Sequence, residues 1–161
     1  MNKNSLKISR CDAVKNLGKK RERLYRMCEN REEMQKRQKV CIEKLQEAIG
    51  KHEPADEYLW EALVAFQGEP FKTVSGLPFQ YTIRPGKRGT LTKELWIDRR
   101  EGSKSLSFGS IRLAFTHALT LEVVLRPKAM GDIRGVSYMY PIFWRFGIIR
   151  VPKENADRMR I

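Results

Sequence analysis

Phe79-Gln-Tyr-Thr-Ile-Arg-Pro-Gly-Lys-Arg-Gly-Thr-Leu-Thr-Lys-Glu-Leu-Trp-Ile-Asp98 is the stretch that decides the fold. From Phe79 to Ile83 apolar and polar side chains alternate, the pattern of a half-buried strand. Glu94-Leu-Trp-Ile-Asp98 predicts a second strand. Between them, Arg84-Pro-Gly-Lys-Arg-Gly89 carries Pro-Gly and a second glycine in a short polar run, which marks a hairpin loop. Two strands alone are marginal in water, so other elements must cover one face. The flanking sequence offers helices for that purpose, and the predicted class is α+β.

On the N-terminal side, residues 55–66 place Tyr58, Leu59, Ala62, Leu63 and Phe66 at helical spacing, and Gly68-Glu-Pro70 supplies a stop. On the C-terminal side, Ser107 can cap a helix over residues 107–121, with Phe108, Ile111, Phe115, Ala118 and Leu119 on one face. A basic loop with two glycines follows at residues 126–135. Residues 136–146 are rich in aromatics. Pro141 suits the first position of a short helix and Gly147 its C-terminal cap. Ile148, Ile149 and Val151 predict a last short strand, and residues 152–161 read as a polar, frayed tail.

Residues 12–49 predict one long helix, with Asp12 as N-cap and Gly50, with Pro54 beyond, as the stop. Its apolar positions Leu17, Leu24, Met27, Met34, Cys41, Leu45, Ala48 and Ile49 fall on one side. Met27, Met34, Cys41 and Ala48 recur every seven residues, but the alternate seam passes through Arg31 and Gln38. This is a weak coiled-coil pattern, and a helix lying on its own domain fits equally well. All seven prolines and all three tryptophans follow residue 53. The predicted organisation is therefore a basic helical extension, residues 1–52, and a small α+β domain, residues 53–161.

The whole chain of 161 residues carries 32 basic and 19 acidic side chains, a formal charge of +13. Residues 1–52 hold 15 basic and 7 acidic side chains, so the first third has more than half of the excess. Apolar residues reach 41%, too many for a chain disordered by composition. No apolar run has the roughly 18 residues of a membrane span. The N-terminus lacks the apolar core of a secretory signal, and three scattered cysteines do not make a disulfide scaffold. The expectation is a small basic cytoplasmic protein, without a membrane partner, that meets something acidic.

Catalytic constellations are missing. His52 and His117 are the only histidines, and neither has a second histidine at zinc spacing. Cys11, Cys28 and Cys41 fit no CxxC pair, and Cys41 lies on the apolar stripe. Gly86-Lys-Arg-Gly89 and Gly102-Ser-Lys-Ser105 lack the full phosphate-loop spacing. Asp98 and Glu101 flank Arg99 and Arg100, which reads as surface ion pairing. No enzyme, cofactor or metal site is expected.

Four basic groups remain. Lys19, Lys20, Arg21, Arg23 and Arg26 lie on about two turns of the long helix, and such a face can follow a phosphate backbone. Farther along, Glu32, Glu33 and Glu47 precede Lys36, Arg37 and Lys51 by four residues, so later charges have intrahelical partners. Arg84, Lys87 and Arg88 sit on the hairpin loop. Arg99, Arg100 and Lys104 precede the helix at Ser107. Arg126, Lys128 and Arg134 share the glycine-bearing loop, close to Tyr138 and Tyr140, and aromatics beside basic residues suit stacking on unpaired bases. A cluster this apolar suits a core as well. No named sequence-reading signature is present.

Residues 75–150, through Ser75-Gly-Leu-Pro-Phe79, Ile97-Asp-Arg-Arg100 and Ser137-Tyr-Met-Tyr-Pro-Ile-Phe143, resemble small uncharacterised proteins of gut Firmicutes and their mobile elements. The resemblance implies no assigned activity and no site residues. Proteins of that origin include inhibitors of CRISPR effectors. The expected function is non-enzymatic binding of nucleic acid or a nucleoprotein through phosphate contacts. The alternatives are an anti-CRISPR-like inhibitor of a Cas-type nuclease ribonucleoprotein, or an adaptor that dimerises through the first helix.

Overall fold

The computed structural model describes residues 10–99 and 102–161, with side chains described from residue 30 onward. The class is α+β, as expected. Helix α1 (Arg10–Gly50) is followed by α2 (Asp56–Ala65), and then by four short strands. These are β1 (Phe71–Lys72), β2 (Pro78–Thr82), β3 (Glu94–Asp98) and β4 (Lys104–Ser107). Three helices close the chain: α3 (Phe108–Ala118), α4 (Val136–Arg145) and α5 (Lys153–Met159). A 3₁₀ turn, Pro127–Met130, lies between α3 and α4.

The chain divides into two units, one up to Lys39 and one from Val40 to Ile161. The sequence boundary at residue 52 marks the end of the helix, whereas the compact unit already starts at Val40. Within that unit Leu45 and Ala48 are buried, and Gln46 Nε2 donates to the Phe146 carbonyl at 2.9 Å. The last turns of α1 are thus part of the globular core, and its heptad positions Cys41 and Ala48 lie on intramolecular surface. A two-stranded coil through this helix has only the earlier heptads available.

The sheet is an antiparallel meander in the order β1-β2-β3-β4. Register places Tyr81 opposite Ile97, and Leu95 opposite Leu106, on the inner face. All four side chains are buried, with Phe79 beside them. The pleat sends their neighbours Gln80, Thr82, Trp96, Asp98 and Ser105 to the outer face. Helices α2, α3 and α4 pack on the inner side. Tyr138 of α4 meets Phe79 edge-on at 5.0 Å between ring centroids, and Trp60 of α2 meets Phe108 at 5.2 Å. The Tyr81 hydroxyl donates to the Leu63 carbonyl of α2 at 2.7 Å, which satisfies a buried polar group and ties sheet to helix.

Both hairpin strands form where the alternation puts them, and Ser107 caps α3 by accepting from the Ser110 amide at 3.2 Å. Five local expectations change. Asp12 is not the N-cap of α1, which begins two residues earlier. Gly50 is still helical, and the residue after the last turn with φ of +57° is His52. His52 and Glu53 amides donate to the Ile49 and Ala48 carbonyls, the Schellman pattern with histidine where glycine is usual. Pro141 lies inside α4 rather than at its start. Residues 148–151 make no strand; the Val124 amide reaches the Arg150 carbonyl at 2.8 Å instead. The polar tail is ordered as α5, because Met159 is buried and Asn155 Nδ2 donates to the Leu125 carbonyl at 2.9 Å. Gly147 does cap α4, at φ of +70°, with its own amide and that of Ile148 closing a second Schellman pattern.

Glycine substitutions test these backbone assignments. A Cβ at Gly50 meets nothing, so Gly50→Ala raises stability by about 0.5–1 kcal/mol. At Gly135, with φ of +83°, a Cβ overlaps the buried Leu106 side chain, so Gly135→Ala costs about 2–4 kcal/mol. Urea titration of the two variants reads both signs.

Tyr81 gives a pH test. Burial pushes its phenol well above the ordinary value. The fold holds the neutral phenol, so that contribution is complete below about pH 10 and is lost as pH rises toward the higher folded value. Tyr81→Phe leaves the Leu63 carbonyl unpaired and costs about 1–2 kcal/mol at neutral pH. The variant also loses less stability than the parent between neutral and strongly alkaline pH, measured by urea titration.

Candidate functional site

The outer face of the sheet carries one large aromatic. Trp96 occupies the middle of β3, an interior strand, with Thr82 opposite on β2 and Ser105 opposite on β4. Its neighbours Leu95 and Ile97 point inward, so strand periodicity forces the indole outward. There it is half-exposed between two small side chains. Arg84, one residue beyond the buried Ile83, lies on the same face, and its Cζ stands 3.9 Å from the centre of the Trp96 ring. This is a cation–π stack on an otherwise polar surface.

The hairpin tip beyond Arg84 is a hydrogen-bonded turn. The Thr92 hydroxyl and amide both donate to the Arg84 carbonyl, at 2.8 and 3.0 Å. Gly86 donates to Thr90 at 2.6 Å, and Gly89 to Gly86 at 2.9 Å. The φ of +78° at Gly89 lets the chain turn so tightly. Lys87 and Arg88 project from this turn into solvent. Ion pairs among the described residues include those of Lys51, Lys93, Arg112, Lys128, Arg145 and Arg160, and none uses Arg84, Lys87 or Arg88.

The predicted groups do not merge into one patch. Arg99 lies at the opposite end of β3, about 16 Å from the tip for five residues of strand. Its Nε donates to the Gly102 carbonyl at 3.3 Å. Lys104 pairs with Ile97 and so stands on the inner side, away from Trp96. Asp98 shares the outer face but accepts from Gln80 Nε2 at 3.3 Å, at the end away from Arg84. Glu94 is also on the outer face, opposite Ser107 on the β4 side. Arg126, Lys128 and Arg134 belong to the loop between α3 and α4, in the helical layer. Arg126 and Arg134 are exposed, while Lys128 pairs with Asp132 at 3.6 Å. The side chains of Lys19, Lys20, Arg21, Arg23 and Arg26, and the whole of Arg100, lie outside the described residues.

Of the aromatics next to that loop, Tyr138 is half-buried against Phe79 and Tyr140 belongs to the core. Tyr140 is fully buried; its hydroxyl donates to the Val124 carbonyl at 2.6 Å and accepts from Asn155 Nδ2 at 3.0 Å. Burial raises the Tyr140 phenol, and the Asn155 hydrogen bond partly offsets this. The aromatic that does stand beside free cations is Trp96, which sequence reasoning passed over. Its signal was present: an aromatic at the solvent-facing position of a strand, between two inward aliphatics, in register with an arginine two places beyond its cross-strand partner.

His117 has a structural role. Its Nδ1 donates to the Met130 carbonyl at 2.8 Å, which leaves Nε2 unprotonated in the neutral ring and ties the 3₁₀ turn to α3. His52 lines a cleft of about 350 Å³ with Glu53, Asp56 and Thr116, where the Asp56 carboxylate pairs with Arg112 at 3.0 Å. Among the described residues, no three of His, Cys, Asp or Glu come close enough to hold a metal ion. Nor is any helix among them long and apolar enough to cross a membrane. No family model, curated protein or solved structure matches the chain.

Removing the guanidinium from the indole checks the geometry. Arg84→Ala costs about 0.5–1 kcal/mol, the range of an exposed cation–π contact, and changes the tryptophan emission by uncovering Trp96. A variant with unaltered emission and stability would show that the stack does not form in solution.

Proposed function

We propose that the protein binds nucleic acid without turnover, mainly through phosphate contacts and with little dependence on sequence. The observation that supports this best is the hairpin tip. Arg84, Lys87 and Arg88 are held on a hydrogen-bonded turn, exposed, and without carboxylate partners among the described residues. Arg126 and Arg134 are likewise exposed and outside these ion pairs, whereas Lys51 bonds Glu47 at 2.6 Å. That hydrogen bond lowers the Glu47 pKa and raises the Lys51 pKa. Cations left unpaired on a chain of +13 repel one another, and a polyanion relieves that repulsion. Each phosphate neutralised also releases condensed counterions. Arg126 and Arg134 on the helical layer, and the sequence cluster Lys19, Lys20, Arg21, Arg23 and Arg26, extend the same reading to further contacts.

The salt dependence of binding tests this. With six to ten phosphate contacts, affinity falls by roughly 10³–10⁵ between about 50 and 200 mM salt, measured by fluorescence anisotropy with labelled oligonucleotides. Replacing both Lys87 and Arg88 by alanine lowers the slope of log affinity against log salt by about 1.4–1.8. A flat slope, or no binding at about 50 mM salt, sinks the reading.

A further inference from the structure

We propose that the outer sheet face centred on Trp96 and Arg84 is a stacking platform for an unpaired base, so that the ligand is single-stranded nucleic acid in preference to duplex. This rests on the nucleic-acid reading above and specifies its substrate. Three features support it, on β2, β3, the neighbouring β4 and the turn between β2 and β3.

The first is access. The indole lies in the central row Thr82–Trp96–Ser105, and both flanking side chains are too small to wall it off. The inner face of the same strands is filled by Tyr81, Leu95 and Ile97, so the indole has no place in the core. The second is chemistry. The guanidinium of Arg84 lies against the ring at 3.9 Å from its centre, which makes a two-layer stack. A planar base adds to such a stack, on the guanidinium or on the ring edge that it leaves open, because bases stack on both aromatic rings and arginine planes. A base inside a duplex has both faces occupied and gains only the phosphate contacts.

The third is charge placement. Lys87 and Arg88 stand just beyond Arg84, where the phosphates flanking a stacked base would lie. Of the acidic groups of this face, Asp98 is at the far end of β3, and Glu94 stands two residues from Trp96 at the tip end, where Arg84, Lys87 and Arg88 outnumber it. The polyanion is therefore drawn across the tip end of the sheet, over Arg84, and repelled from the Asp98 end. Charge complementarity and an accessible ring coincide at one place only along this strand, and that place is Trp96.

Trp96→Leu in the full chain tests the proposal, with oligothymidylate of about 16 nucleotides and a duplex of equal length as ligands. One stacked base is worth a loss of about 5- to 150-fold on truncation, so single-strand affinity falls by that factor. Duplex affinity changes less than about 2-fold, because phosphate contacts are untouched. Trp96→Phe restores most single-strand binding, which a merely structural role for tryptophan does not require. Far-ultraviolet circular dichroism checks that the variants fold. A second readout covers failure of the leucine variant: oligothymidylate quenches tryptophan emission in the parent, and that quenching disappears in Trp96→Phe. Equal losses on single strand and duplex, no loss on either, or quenching that persists in Trp96→Phe would overturn the stacking platform while leaving phosphate binding intact. A parent chain that binds neither ligand overturns both.

Discussion

A small antiparallel sheet with helices on one face has two unequal surfaces, and this inequality organises the whole domain. The inner surface must be filled, and Phe79, Tyr81, Leu95, Ile97 and Leu106 fill it against α2, α3 and α4. The strand period then dictates everything on the other side. A shift of β3 by one residue would bury Trp96 and expose Leu95 and Ile97. Register is pinned by the Tyr81 hydroxyl on the Leu63 carbonyl and by the close approach of Gly135 to Leu106. The same contacts that stabilise the core therefore decide which side chains reach solvent, and the indole is presented as a consequence of how the core is packed.

The helix ends show a second economy. Two Schellman endings close α1 and α4, one through His52 and one through Gly147. At 147 a Cβ would also displace Gln46 Nε2, which donates to the adjacent Phe146 carbonyl, besides straining the positive φ. That hydrogen bond joins the end of α1 to the end of α4. Nothing comparable crowds His52, so the left-handed position there tolerates a larger residue. The join also explains why the compact unit begins inside α1 and not after it: Leu45 and Ala48 are core residues that happen to be carried by the last turns of a long helix.

How much was legible from the chain follows from the length of each signal. The alternation at 79–83 and 94–98 is strong because one face of each strand is buried, and both strands and their turn form there. β1 has two residues and β4 has four with a single apolar one, Leu106, so neither offers a period to read. The tail gave only polar composition, yet Met159 and Asn155 are enough to dock it. Pro141 is interior because the buried run Val136, Met139 and Tyr140 draws the helix farther back than a proline preference for helix starts places it. For the site, charge was legible and geometry was not. The sequence grouped Arg126, Lys128 and Arg134 with Tyr138 and Tyr140, but helical periodicity turns Tyr140 into the core and packs Tyr138 on Phe79. It kept Arg84 apart from Trp96, which only cross-strand register brings together.

Charge itself divides by use. Arg145 is spent inside the fold: it pairs with Glu69 at 3.5 Å, donates to the Pro70 carbonyl at 2.9 Å and lies over Phe66 and Phe71. Lys93 lies over Trp60 and Phe108 and reaches Glu57 at 3.4 Å. Arg112 holds the Asp56 carboxylate of α2, and Lys128 that of Asp132 in its own loop. These cations stabilise packing, and a count of basic residues overstates what is available to a partner. The hairpin tip differs in kind. Its backbone is satisfied internally by Thr92, Thr90 and Gly86, so its side chains are not needed to hold it. Arg84 alone makes a strong contact, and it makes it with a ring that faces solvent. A turn stabilised by its own backbone can carry unpaired positive charge at little cost to the fold, because none of its cations is needed to hold the chain in place.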